Sequence, residues 1–443
     1  MLLKSELINL QGKKKKMKKY TEMSKEELLH EKESLEEAYR EYQKRGLSLN
    51  MARGKPSVEQ LELSMPMLDV LHSQADLVCE DGSDCRNYGE PVGIPEARRL
   101  MASMMEDDPE NVFVFGNSSL NVMYDTVSRA MLFGVCGSTP WCRLPEVKFL
   151  CPVPGYDRHF KITESFGIQM INIPMNADGP DMDLVEKYVN NDPAVKGIWC
   201  VPKFANPTGT VYSDEVVSRF AHLTPAAEDF RIFWDNAYCV HYLYEDNQPQ
   251  IPEILSECAK AGHPDIVYKF ASTSKVTFAG SGISALASSK RNLDDIKRHL
   301  VVQTIGHDKM NQLRHARFLK DHDNVIRHMM KHAAILRPKF EALEKVLDDE
   351  LVSRGIGSFE KPLGGYFIAY EGPDNTAKAI VKAAKDCGVV LTGAGAPFPY
   401  GKDPDDKWIR LAPSFPTLDE LKTAADIFAV CARLVYAKQL LGE

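Results

Sequence analysis

At the end of the apolar run "DIVYKFA" (265–271), one lysine follows three hydroxyl residues, Ser272-Thr273-Ser274-Lys275. A lysine is costly to bury and hydroxyls do little for one left in water, so the pattern asks for a partner that uses both. Four other short apolar runs end in residues that could share that chemistry. "NVFVF" runs into "GNSSLN" (116–121), where Asn117, Ser118 and Ser119 sit at a predicted helix N-terminus, a cradle for an anion. "VKFLCPV" leads to "PGYDRH" with Tyr156, and "VKGIWCVP" leads to "ANPTGT" with Asn206. "FRIFWDN" holds Asp235, with Tyr238 three residues on. An anion cradle, an aromatic, an amide, a carboxylate with a phenol, and a lysine among hydroxyls together suit pyridoxal 5'-phosphate. A lysine amine can hold its aldehyde, a carboxylate can keep its ring nitrogen protonated, and an amide and a phenol can bind its ring oxygen.

The elements that must position these residues can be read from the same runs. Seven short apolar segments (111–116, 147–153, 168–174, 195–202, 230–236, 265–271 and 284–289) are strand-like in length and in β-branched or aromatic content. Helical patterns such as "SSLNVMYDTVSRAMLFG" and "SDEVVSRFAHL" lie between most of them. The alternation predicts an α/β fold whose sheet has about seven mostly parallel strands covered on both faces. In such a sheet, ligands bind outside the carboxyl ends of the strands, where the candidate residues fall. Beyond Ser289 the chain turns helical and then mixed, which predicts a smaller α+β domain. The expected division is 1–80 for a tail, a helix and part of the small domain, 81–305 for the large domain, and 306–443 for the rest of the small domain. Ser24 with Glu27, and Thr417 with Glu420, have the spacing of capping boxes at the starts of the first and last helices. Gly46 follows the first helix, and Asn206–Pro207 is a candidate cis bond.

Composition narrows the class. The 443 residues carry a net charge of −8, which argues against non-specific nucleic-acid binding. The basic run Lys13–Lys19 reads as a solvated tail. No stretch reaches the length of a membrane span, and no apolar h-region follows the basic N-terminus. Ten cysteines without C-x-x-C spacing suggest buried free thiols in a reducing compartment, so a cytoplasmic protein without metal is expected. The histidines show no zinc-binding spacing, and His307, His315, His328 and His332 read as surface or packing residues. "GSGISA" (280–285) nearly matches a dinucleotide fingerprint, but a polar stretch precedes it and a strand-like one follows.

"ANPTG", "WDNAY" and "STSK" occur in that order, with 29 residues from Asn206 to Asp235 and 40 from Asp235 to Lys275. Together with "ARGKPS" (52–57), "RNYGEPVGIPEARRLM" (86–101), "PGYD", "GGYF" (364–367) and "IRLAPS" (409–414), they make the chain resemble the class I aminotransferases of fold type I. The wording is most similar to the bacterial subgroup Ic aspartate aminotransferases, and the likeness runs from about residue 47 onward. The resemblance implies that Lys275 is the Schiff-base lysine and proton carrier, and that Asp235 partners the pyridine nitrogen. It implies that Asn206 and Tyr238 hold the ring oxygen and that Tyr156 stacks on the ring. Asn117, Ser118, Ser119, Ser272 and Ser274 would hold the phosphate, and Tyr88 would reach the phosphate of a neighbouring subunit, which implies a homodimer with shared sites. Arg410 would clamp the substrate α-carboxylate, with Gly54 bringing backbone close to it. The chain departs from the pattern in one respect. Many class I members carry an arginine seven or eight residues past the lysine, where this sequence has glycine or isoleucine in "VTFAGSGIS".

The expected activity is amino transfer between an amino acid, aspartate by resemblance, and a 2-oxo acid such as 2-oxoglutarate. A dicarboxylate needs a second cation; Arg53, Arg314 and Lys309 are candidates, and Arg53 is preferred because it adjoins Gly54. The alternatives are a β-lyase or decarboxylase on the same scaffold, or a non-catalytic sensor domain of a regulator.

Overall fold

The computed structural model describes residues 18–443, so most of the Lys13–Lys19 run lies outside the described residues. Its strands are β1 Leu49–Asn50, β2 Val112–Phe115, β3 Lys148–Val153, β4 Gln169–Asn176, β5 Gly179–Pro180, β6 Val195–Cys200, β7 Arg231–Asp235, β8 Val267–Ser272, β9 Ser284–Ala287, β10 Ser358–Phe359, β11 Ile368–Glu371, β12 Val389–Val390 and β13 Trp408–Leu411. The large sheet has the order β2-β9-β8-β7-β6-β3-β4-β5. All seven predicted runs are strands in it. The eighth, β5, pairs antiparallel with the end of β4, Met175 facing Pro180. Two residues are too few to carry a hydrophobic period, so β5 had no signature in the sequence.

From β8 across to β4 the neighbours are parallel. β9 runs against both β8 and β2, so β2 points the same way as the parallel set. The carboxyl ends of β2, β3, β6, β7 and β8 therefore meet at one edge. Strand alternation loads the two faces separately. In β7, Ile232 and Trp234 join a cluster with Ile94, Val114 and Val267. Phe233, between them, joins Phe149, Trp199 and Phe270 on the other face. Both faces are apolar, as a sheet covered on both sides requires.

A further core lies beside this sheet. It joins Leu28 of the helix Lys25–Lys44, Phe340 and Leu343 of the helix His322–Glu350, Ile368 of β11, Ile409 of β13 and Phe428 of the helix Leu418–Leu441. β10, β11 and β13 form an antiparallel sheet there. β1 pairs in parallel with β12, Leu49 facing Val389, which returns the N-terminal segment to the C-terminal part of the chain. Both predicted capping boxes are formed. The Asn206–Pro207 bond is cis. "GSGISA" passes from a turn into β9, and no helix opens from it. All ten cysteines are free thiols.

Three of the four singled-out histidines are buried parts of the lattice behind the lysine turn, with none of the exposure of a surface residue. His315 meets the Thr277 hydroxyl at 2.9 Å, and His328 Nε2 donates to the Val276 carbonyl at 2.8 Å. Gln60, fully buried, donates to His332 Nδ1 at 3.0 Å and to the Tyr366 hydroxyl at 2.8 Å. His332 and His328 approach to 3.2 Å, so a second charge there would be both buried and repelled. Burial, then His328, pushes the His332 pKa down to about 3, and burial brings His315 down to about 4.

Both groups stay neutral in the folded chain while the unfolded chain takes up protons near its ordinary histidine pKa of about 6.5. Their contribution is complete above that value and is lost as pH falls through it toward the folded values. Lowering pH from 7 to 5 should therefore lower the thermal midpoint, and His332→Gln should flatten that slope, as differential scanning calorimetry would read.

Candidate active site

Asp235 closes β7 at the carboxyl edge and is buried. Its Oδ2 meets His159 Nε2 at 2.9 Å, while its Oδ1 is buried without a partner. His159 stacks on Trp199 with ring centroids 4.5 Å apart, and the Trp199 indole donates to Thr163 Oγ1 at 2.8 Å. One carboxylate oxygen is thus tied back into the sheet and the other is left open. A buried, open carboxylate oxygen asks for a cationic or N–H partner. His159 was missed in the sequence. It stands three residues after Tyr156, on the first turn of the helix Asp157–Ser165, and only the fold brings it to Asp235.

Lys275 leaves β8 on a turn in which the Val276 and Thr277 amides donate to the Thr273 carbonyl. Its amine lies 4.9 Å from the centroid of the Tyr238 ring. Burial pushes its pKa down, and the Asp235 charge offsets part of that shift. A depressed amine is unprotonated more often and so is a better nucleophile and base. Tyr238 is itself buried, and desolvation drives its phenol pKa well up, so it remains a hydroxyl. The three hydroxyls before the lysine divide their work. Thr273 Oγ1 accepts from the Ile283 amide at 2.9 Å and belongs to the turn. Ser272 and Ser274 line the cleft, linked Oγ to Oγ at 3.2 Å.

The same cleft is lined by Ser118, Ser119, Tyr156, Asn206, Asp235, Tyr238 and Lys275. Ser118 caps the helix Ser119–Phe133, so the positive end of that helix faces the cleft beside Ser272 and Ser274. Asn117 stands one step back. Its Oδ1 accepts from the Gly282 amide at 2.6 Å, and its carbonyl accepts from Ser274 Oγ at 3.0 Å.

Arg410 reaches the cleft from β13. Its Nη1 donates to Asp157 at 2.8 Å and to Asn206 Oδ1 at 3.4 Å, and its Nη2 donates to Thr392 at 3.3 Å. Its guanidinium carbon lies 4.8 Å from the centroid of the Phe367 ring, and its Nε is buried without a partner. Gly54 packs on the same ring: a Cβ there would sit 2.2 Å from Phe367 Cζ. Arg53, beside it, is exposed. Lys309 Nζ is held by the Tyr88 carbonyl at 3.2 Å, and Arg314 is bonded to Ser281. Tyr88 is 81 % exposed and lines no part of the cleft of its own chain.

This arrangement can be set beside known proteins. The family model described as aspartate amino-transferase matches residues 23–443. The chain belongs to the aspartate aminotransferase family. An aspartate aminotransferase of Corynebacterium glutamicum is 43 % identical to it over 407 residues, covering 92 % of this chain and 94 % of that one. A Mycolicibacterium smegmatis chain is 45 % identical over 426 residues, covering 96 % and 99 %. A crystal structure of an aspartate transaminase from Corynebacterium glutamicum superposes with a TM-score of 0.92 at 42 % identity, covering 95 % of this chain and 99 % of that one. LysN, an α-aminoadipate aminotransferase of Thermus thermophilus solved with N-(5'-phosphopyridoxyl)-L-leucine, shares the fold at a TM-score of 0.71 and 19 % identity, covering 89 % and 93 %. Like the rest of its family, this chain is a transaminase of fold type I.

The Gly54 contact has a direct consequence. Gly54→Ala should displace Phe367 and, through it, the Arg410 guanidinium. Steady-state kinetics should then show kcat/KM down by about 10- to 100-fold for every amino-acid substrate, with the melting temperature also lowered because Phe367 belongs to the core.

Proposed function

We propose that this transaminase uses pyridoxal 5'-phosphate and moves the amino group of aspartate to 2-oxoglutarate. The observation that carries the cofactor reading is the free, buried Oδ1 of Asp235 in the cleft that holds the pKa-depressed amine of Lys275. A pyridinium N–H would satisfy that oxygen, and its charge would match the carboxylate. Lys275 would hold the cofactor. Ser118, Ser119, Ser272 and Ser274 would hold its phosphate, with Asn117 supporting Ser274 through its carbonyl. Asn206 and Tyr238 would hold its ring oxygen, and Tyr156 would lie against the ring. When bound, the cofactor supplies an electron-withdrawing ring that stabilises negative charge at the substrate Cα.

The chain's own groups do the rest. Asp235, kept in place by His159, would keep the ring nitrogen charged. The Lys275 amine, its pKa lowered by desolvation, takes the proton from the substrate Cα and returns it on the other side of the transfer. Arg410 takes the α-carboxylate in the bidentate geometry that guanidinium favours, with Asp157 and Thr392 fixing its plane. The helix N-terminus at Ser118 adds positive potential at the phosphate end.

Exposure of Tyr88 away from its own cleft fits a homodimer in which Tyr88 serves the neighbouring site. Among the three cations proposed for a distal carboxylate, Lys309 is held by the Tyr88 carbonyl and Arg314 lies at the Ser281–Gly282 turn, whereas Arg53 is exposed next to Gly54. Arg53 is therefore assigned that task. Among the described residues no helix is long and apolar enough to cross a membrane. A cytoplasmic place and the division of the chain at about 81 and 305 are part of the same proposal.

Borohydride reduction of the purified protein should attach the cofactor covalently to the peptide containing Lys275, read by mass spectrometry. Aspartate with 2-oxoglutarate should yield oxaloacetate and glutamate. Release of CO₂, or of pyruvate with ammonia, would instead identify the decarboxylase or β-lyase alternative. Arg53→Gln should raise KM for aspartate far more than for alanine, and equal effects would remove Arg53 from the substrate site.

A further inference from the structure

The turn after Lys275 lacks a cation where an anion is expected. Gly282 stands seven residues after Lys275, and its amide donates to Asn117 Oδ1 at 2.6 Å. No larger residue fits there comfortably. A Cβ on Gly282 would sit 3.0 Å from Thr273 Oγ1, 3.2 Å from the Asn117 carbonyl and 3.3 Å from Asn117 Oδ1. Its neighbour Ile283 is buried among apolar side chains. A long cationic side chain at either of these two positions would have to displace its neighbours.

A guanidinium arrives at this turn from another element. Arg314 lies on the helix Lys309–Leu319 and donates from Nη2 to Ser281 Oγ at 2.8 Å. It also donates to Asn311 Oδ1, whose own Nδ2 donates to the Gly282 carbonyl at 2.8 Å. The helix thus grips the 281–282 turn on one side and Asn117 grips it on the other. Asn117 in turn carries Ser274 of the cleft. Arg314 is half-buried, its Nε is buried without a partner, and no carboxylate among the described residues pairs with it. A partly desolvated cation with a free donor and no counter-ion is costly unless an anion completes it.

We propose that Arg314 is the phosphate-binding cation of this site, replacing from a separate helix the charge that the turn after Lys275 does not carry. The proposal rests on the pyridoxal-phosphate reading. A phosphate monoester carries roughly 1.5 to 2 negative charges at neutral pH, more than serine hydroxyls and one helix end neutralise. The other cations nearby have other work: Lys309 is held by Tyr88, and Lys275 is the reactive amine. Ser281 is the hydroxyl that aims the guanidinium.

The test is cofactor affinity, read on cofactor-free protein by absorbance titration with pyridoxal phosphate and, separately, with pyridoxal, which lacks the phosphate. In Arg314→Met, Kd for pyridoxal phosphate should rise by about 10- to 100-fold, in the range of one or two lost charge-assisted hydrogen bonds, while Kd for pyridoxal stays unchanged. Arg314→Lys should fall between, because an ammonium keeps the charge and loses the fork. Ser281→Ala should weaken pyridoxal phosphate alone by a few-fold, and it supplies the test if the Met variant does not fold. An unchanged ratio of the two Kd values in Arg314→Met and Ser281→Ala overturns the assignment, as does an equal rise in both. If the wild-type protein binds neither compound, the cofactor reading itself has failed and this proposal falls with it.

Discussion

A carboxylate kept buried with one oxygen unsatisfied is the constraint on which the rest of the site depends. Left alone, Asp235 would gain from turning both oxygens toward donors or water. His159 allows only one of them to do so, and Trp199, stacked on the imidazole and anchored on Thr163, prevents the histidine from following the carboxylate elsewhere. The open oxygen therefore remains aimed at the cleft. The same charge holds up part of the Lys275 pKa that burial drives down. Each is costly to desolvate, and pairing them around a shared cleft turns that cost into pre-organisation.

The sheet makes this possible by placing five strand ends at one edge. Its central strands are buried on both faces, so the apolar cores to either side fix their register, and the polar residues appear where the strands stop. The lysine turn receives the most support. Thr273 closes it from inside, His315 and His328 hold its following residues, and Asn117 holds the hydroxyl before the lysine. The buried chain through Gln60 joins this turn to the segment carrying Gly54 and to the helix His322–Glu350. Local strain at any one of these points would reach the amine.

Substrate recognition is assembled from different parts of the molecule. Arg410 comes from the small antiparallel sheet, Gly54 from the segment just after β1, and Asp157 and Asn206 from loops of the large sheet. Pairing of β1 with β12 ties the segment carrying Gly54 to the C-terminal part of the chain. Asp157 supplies Arg410 with a carboxylate that keeps the guanidinium oriented.

Much of this was legible in the chain by itself. Seven apolar runs of the right length became seven strands, because a fully buried strand must be apolar at nearly every position. The residues just after those runs became the cleft, because a parallel sheet aligns its carboxyl ends. Both capping boxes formed, because their hydrogen bonds are local. Only the tertiary structure decided the rest. His159 became the partner of Asp235 across 76 residues, while Asn117, expected in the cleft, turned its side chain to Gly282. The histidines that looked like surface or packing residues became hydrogen-bonded supports of the lysine turn. Arg314, one of three cations the sequence offered for a distal carboxylate, was bonded instead to Ser281 in the turn after the lysine. A type and a spacing state what a residue can do along its own strand or helix. Which partner it meets depends on which elements pack together, and that is settled by the burial of apolar faces far from the residue itself.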